Sequence, residues 1–147
     1  MQVFIIGEVK DTATALDKRR LNKQIIECRQ IIDAIHGTGK GWFNHPVVKM
    51  YTDHVNWLRC YMWYLEEYQS AESDLLMLMH FNKYCNENKP PFHTEEFFQQ
   101  MKRRLYTKDN QHYSQWSDLG ESEVNWYFVD GEWKYYKNGK QIKKDDI

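Results

Sequence analysis

Residues 16–35 read LDKRRLNKQIIECRQIIDAI, and this stretch decides the fold. Leu16, Ile25, Ile26, Ile31, Ile32 and Ile35 largely recur at three- and four-residue intervals, the period of one helix face. Asp11 or Thr12 upstream offers a cap and Gly37 downstream a stop, so a long first helix is predicted. Arg20, Lys23, Gln24 and Glu27 fall along another side of it, because intervals of three, four and seven share a face. That side reads either as a solvated surface carrying a Lys23–Glu27 pair, or as a place where Arg20 and Lys23 hold a phosphate while Gln24 contacts a base or sugar.

Upstream, Val3-Phe4-Ile5-Ile6 ending at Gly7 reads as a short strand or an anchored terminus. Downstream, residues 37–42 form a loop. Asn44-His45-Pro46 then starts a helix with Pro46 in its first turn, where a missing N–H is harmless. A second helix is predicted over 47–68, with an aromatic stripe of Tyr51, Trp57, Tyr61, Trp63 and Tyr64 that reads first as core packing. After a break near Ser70, a third helix spans 74–84. Residues 86–91 (NENKPP) form a loop, and Thr94 caps a fourth helix running to about Tyr106. Asp130-Gly131 and Asn138-Gly139 separate β-patterned stretches 124–129, 132–137 and 140–144, which predicts a three-stranded meander with a short basic edge. The expected architecture is mainly α: a compact single-domain bundle of about four helices over 1–116, with a small antiparallel β appendage over 117–147.

The whole chain has 147 residues, a net charge of −1 and 16% aromatic residues, with a mean hydropathy of −0.83. So aromatic a chain fills a core and is not disordered. No apolar window is long enough to span a bilayer, and the N-terminus lacks a secretory pattern. Cys28, Cys60 and Cys85 are scattered, which fits reduced thiols in a cytosol. HExxH, paired CxxC, GxxxxGK[ST], GxGxxG and GxSxG are all absent, so a metal, a nucleotide cofactor or a serine nucleophile has no motif behind it. No cofactor is expected. The near-zero charge conceals a division. Residues 1–50 carry eight Lys/Arg against five Asp/Glu, residues 51–97 three against eight, and residues 98–147 nine against eight. Two basic runs stand out, Lys18-Arg19-Arg20 with Lys23 and Lys102-Arg103-Arg104 with Lys108. A one-sided positive surface is compatible with a neutral total.

The chain resembles the pyrimidine-dimer DNA glycosylases, the small endonuclease-V-type repair enzymes of bacteriophage, and the uncharacterised bacterial and phage proteins grouped with them. The resemblance rests on MQVF at 1–4, LDKRRLNKQ at 16–24, NHP at 44–46, the step from Pro46 to His54 in PVVKMYTDH, and PFH at 91–93 leading into the basic fourth helix. It extends over roughly residues 1–116.

The resemblance implies a helical protein that binds double-stranded DNA, flips a base out, and cuts the glycosidic bond with its N-terminal α-amine through a Schiff base. An α-amine has an ordinary pKa near 7.7–8.0, so a useful fraction is unprotonated at neutral pH. Carried over residue by residue, Arg19 and Lys23 match phosphate-binding positions, and His54 and His93 match family histidines. Arg20 stands where the family keeps its catalytic glutamate. Gln2 stands where a small threonine becomes the nucleophile, and its bulk should resist removal of Met1. The expected catalytic groups are therefore the Met1 amine and Glu27, with Glu8 as a second candidate carboxylate. The expected DNA- and phosphate-binding residues are Arg19, Arg20, Lys23, Gln24, Asn44, His45, His54 and His93. The leading expectation is a cytoplasmic, monomeric, metal-free glycosylase/AP lyase acting on a damaged or modified base, in a bacterium or a phage-infected host. A non-catalytic nucleic-acid-binding relative, or a protein-interaction module using the β tail, stands as the alternative.

Overall fold

The N-terminal segment is buried from Gln2 to Ile5, yet among the described residues it pairs with no strand. Val3, Phe4 and Ile5 are core residues, and side chains satisfy the backbone groups they carry inward. Gln24 Oε1 accepts the Phe4 N–H at 2.5 Å, and Gln24 Nε2 donates to the Gln2 carbonyl at 3.2 Å. The Tyr61 hydroxyl donates to the Phe4 carbonyl. The Ile6 N–H donates to Thr12 Oγ1 at 3.0 Å. A buried backbone polar group needs a partner, and here side chains replace a neighbouring strand. Of the two readings of this segment, the anchored terminus holds.

The computed structural model describes residues 1–38 and 41–147; Gly39 and Lys40, inside the loop expected at 37–42, lie outside them. The described residues are mostly helical, with six α-helices and one three-stranded antiparallel sheet. They fold as two compact units, Met1–Pro91 and Phe92–Ile147.

In the first unit the predicted long helix is two helices, α1 (Val9–Ala15) and α2 (Lys18–Ile35). Leu16 and Asp17 are both extended, and the Asp17 carboxylate accepts the Arg20 N–H at 3.4 Å as the N-cap of α2. The aspartate at 17, not Asp11 or Thr12, sets that start. Thr12 sits inside α1, where its hydroxyl bonds back to the Glu8 carbonyl at 3.1 Å. The helix end was legible: α2 stops at Ile35, and Gly37 takes φ +75° just beyond.

The predicted second helix is likewise divided, into α3 (Pro46–Tyr51) and α4 (Val55–Gln69), joined by a 3-10 turn over Thr52–His54. Thr52 bonds back to the Val48 carbonyl at 2.7 Å, a contact that bends helices, and Thr, Asp and His are weak helix formers. His45 caps α3 through Nδ1, with Pro46 in the first turn as its sequence position requires. Much of the aromatic stripe is core. Tyr51, Trp57 and Tyr61 stack in succession, with ring centroids 5.9 and 5.3 Å apart, and Trp57 Nε1 donates to the Cys85 carbonyl at 3.1 Å. Trp63 faces outward. Helix α5 (Leu75–Glu87) buries Leu78 and Cys85 but leaves Leu75, Leu76 and Met79 exposed. All three cysteines are free and buried.

The second unit groups α6 (Glu95–Lys108) with the meander β1 (Val124–Val129), β2 (Glu132–Lys137) and β3 (Lys140–Ile142). Thr94 caps α6 by accepting the Phe97 N–H at 3.3 Å. Both hairpin turns have the positive φ pair of a type I′ turn, 56° and 79° at Asp130-Gly131, 52° and 77° at Asn138-Gly139. Val124 pairs with Lys137 and Val129 with Glu132, while Tyr135 pairs with Ile142. The third strand is shorter than its basic run, since a 3-10 turn takes over at Lys144–Asp146.

The basic run of α6 is engaged within this unit. Arg104 donates to Asn125 Oδ1 at 3.0 Å and to the Ser122 carbonyl at 3.1 Å. Arg103 donates to the Glu121 carbonyl at 2.8 Å. Buried Gln100 donates to Ser122 Oγ at 2.8 Å and the Val124 carbonyl at 2.6 Å. Lys102 lies 6.0 Å over the Trp116 ring. These contacts fix the approach to β1, a role invisible in the charge pattern. No described helix is long and apolar enough to cross a membrane.

Candidate functional site

Phe4, Arg20, Lys23, Gln24 and Glu27 line one small cleft. Four of the five come from α2, whose cap at Asp17 sets the helical phase that puts positions 20, 23, 24 and 27 on one face. Phe4 is the wall supplied by the N-terminal segment. Lys23 is exposed, whereas the Glu27 side chain is only 15% exposed, and their charged atoms stand 4.0 Å apart. A helix pair at that separation with one solvent-exposed partner contributes a few tenths of a kcal/mol at most. The withdrawal of Glu27 from water therefore owes more to its position in the cleft wall than to the pairing.

Gln24, 2% exposed, has both ends of its amide engaged with the N-terminal segment. It acts within the site by holding backbone, and through that backbone it sets where the chain begins. The N-terminal amine in turn reaches the neighbourhood of His45. Burial first, and then the positive charge of that amine, push the His45 imidazole down to about pKa 4. His45 Nδ1 accepts the Val47 N–H at 3.1 Å, so the neutral ring carries its proton on Nε2. The site thus has a hydrogen-bond donor beside the amine, neutral throughout the physiological range. The Trp42 ring packs against His45, centroids 5.6 Å apart at 60°.

Arg20, Lys23, Gln24 and Glu27 share the cleft with Phe4. The Met1 amine neighbours His45 at the capped start of α3, and Gln24 joins α2 to the same N-terminal segment through the Gln2 carbonyl. Asn44 is exposed directly before His45, and Arg19 is exposed on α2 but does not line the cleft. His54 is half-buried in the 3-10 turn, where burial lowers its pKa and Asp53 opposes the shift. His93 belongs to the second unit and is 3% exposed, its ring stacked 5.8 Å from Phe97 at 14°. It is a core residue there. Glu8, the second candidate carboxylate, accepts from Asn82 Nδ2 at 3.1 Å and lies 3.9 Å from Lys10. It ties α1 to α5.

Two contributors were not legible. Phe4 reads as an apolar residue in an apolar run, and only the fold places it against α2. Trp42 has no periodic signal at all. Among the described residues, no group of three or more His, Cys, Asp or Glu is placed to hold a metal ion.

Residues 1–70 match the family model described as pyrimidine dimer DNA glycosylase. The matched segment contains every cleft residue, the amine, the His45 cap and all of α1 to α4. Neither the curated proteins nor the solved structures compared with the chain give a match. The sequence resemblance carried by residues 16–24, 44–46 and 46–54 and the match to the family model thus agree: over residues 1–70 this chain is similar to the pyrimidine dimer DNA glycosylases.

Proposed function

We propose that the protein is a DNA-acting base-excision enzyme whose nucleophile is the α-amine of Met1. The observation that carries this reading is the position of that amine. Gln24 grips the backbone at Gln2 and Phe4, and the amine lies close enough to His45 to depress its pKa. An N-terminus that follows directly from backbone held at two buried positions is preorganised for attack in a way that a frayed terminus is not.

The chemistry then runs on groups of this chain. The unprotonated amine attacks the anomeric carbon of the target nucleotide, and the base departs with the electrons of the glycosidic bond. Glu27 supplies the proton that the departing base requires and afterwards acts as the base. Loss of a proton from nitrogen, with opening of the sugar ring, gives a Schiff base. Removal of a 2′ proton breaks the C3′–O bond, and water releases the amine. His45 Nε2–H donates to a sugar or phosphate oxygen during these steps. Arg20, Lys23 and exposed Arg19 neutralise phosphates of double-stranded DNA. Asn44 and His54 position the backbone, and Gln24 positions the nucleophile.

Borohydride trapping on a duplex with an abasic site tests the reading. A covalent adduct that disappears on acetylation of the N-terminus is expected. Absence of an adduct, or an adduct indifferent to acetylation, overturns it. The Lys23–Glu27 contact at 4.0 Å favours a second reading, a relative that binds duplex DNA without cutting it. In that case Glu27→Gln leaves every measurable DNA property unchanged.

A further inference from the structure

The loop entering α3 carries two aromatic side chains that no core absorbs. Trp42 is 37% exposed and Phe43 62%. Single exposed apolar residues are common on protein surfaces, so exposure alone carries nothing. Place is what distinguishes this pair. Gly41 takes φ +82°, a value that favours glycine, and turns the chain into the loop. The His45 N–H donates to the Trp42 carbonyl at 2.9 Å, and Pro46 then opens α3. The downstream half of the loop is therefore fixed to the helix that carries His45. The Trp42 ring leans on His45, the side chain that senses the N-terminal amine. Phe43, the more exposed of the two, stands next in the chain with no polar atom of its own.

An enzyme that draws a nucleotide out of a duplex leaves an unstacked step behind it. Apolar side chains inserted at such a step replace the lost stacking and hold the duplex open. We infer that Phe43, backed by Trp42, is the wedge that enters the base stack of double-stranded DNA and fills the space vacated when the target nucleotide moves to the Met1 amine. This rests on the proposed function. It adds a specificity: a phenyl ring reads no base edge, so the wedge favours steps that are already poorly stacked, whatever their sequence.

The test uses the full chain and two duplexes of one sequence, one intact and one holding a tetrahydrofuran abasic analogue beside 2-aminopurine. The unaltered protein should bind the abasic duplex more tightly and change the 2-aminopurine emission. Phe43→Ala should lose most of that emission change and about tenfold of the abasic-over-intact preference, while the salt dependence of binding stays as it was. Phe43→Leu, which keeps an apolar side chain, should retain much of both. Retention of emission change and preference in Phe43→Ala and Trp42→Ala alike overturns the wedge, whether or not borohydride trapping succeeds. Failure of the unaltered protein to bind either duplex overturns the site reading and the wedge together.

Discussion

The side-chain amide of Gln24 stands in for a β-strand beside Phe4. Its oxygen accepts the Phe4 N–H at 2.5 Å, and its nitrogen donates to the carbonyl of Gln2 at 3.2 Å. Both residues are buried, so one side chain from α2 satisfies two inward-facing backbone groups.

Replacing Gln24 with Ala should therefore remove the side-chain partners of the Phe4 N–H and the Gln2 carbonyl and open a gap. A loss of about 2–4 kcal/mol in urea unfolding is expected. Gln24→Glu keeps the acceptor for Phe4 and loses the donor to Gln2, so in amide exchange the Phe4 N–H should remain better protected than in Gln24→Ala. Equal loss of protection in the two variants would contradict the role assigned to the amide oxygen.

His45 makes stability depend on pH in a defined window. Its folded pKa lies near 4, below the ordinary 6.5. Between those values the unfolded chain takes up a proton that the folded chain refuses, so stability falls as the pH drops from about 6.5 towards 4. Allowing for its half-exposed position, the loss is on the order of 1 kcal/mol. His45→Asn keeps a capping side chain and removes the titration. Unfolding curves at pH 7 and pH 4.5 should lie closer together in that variant than in the unaltered protein.

The division between α1 and α2 rests on Asp17. Asp17→Ala removes the cap from Arg20 N–H and should cost about 1 kcal/mol in thermal or urea unfolding. Asp11→Ala should cost less, because Asp11 lies inside α1 and makes no cap.

The cleft residues separate binding from chemistry. Lys23→Ala and Arg20→Ala should each weaken duplex binding and reduce the salt slope by about 1. Glu27→Gln should leave that slope alone and lower the rate of borohydride-trapped adduct by about 100-fold or more. Unequal salt slopes between Glu27→Gln and the unaltered protein would point to a structural effect of the Lys23–Glu27 pair.

Features confined to a few neighbouring residues were legible without the fold. Asp130-Gly131 and Asn138-Gly139 tolerate positive φ and therefore turn the chain wherever they occur between β-patterned stretches. Thr94 and His45-Pro46 open helices for reasons contained within four residues. Periodicity found the helical segments but ran through two breaks. A three- to four-residue apolar spacing does not register that Asp17 gains more as a cap than as an interior residue, or that Thr52 bends its helix by bonding backwards.

The primary sequence alone determined the helical class, the two tight turns, the shared face of Arg20, Lys23, Gln24 and Glu27, and the resemblance of residues 1–70 to a known family. These are local: a period, a cap, a permitted φ. Tertiary structure alone decided what those side chains do. Gln24 reaches 20 residues back to Phe4, and Tyr61 reaches 57. Arg103 and Arg104 are bound 18 residues downstream, at Glu121 and Ser122, and His93 is enclosed among the aromatic rings around it. A polar side chain carries the same donors and acceptors whether it faces a phosphate or a buried carbonyl. Only chain segments brought together from far apart in sequence settle which of these it meets.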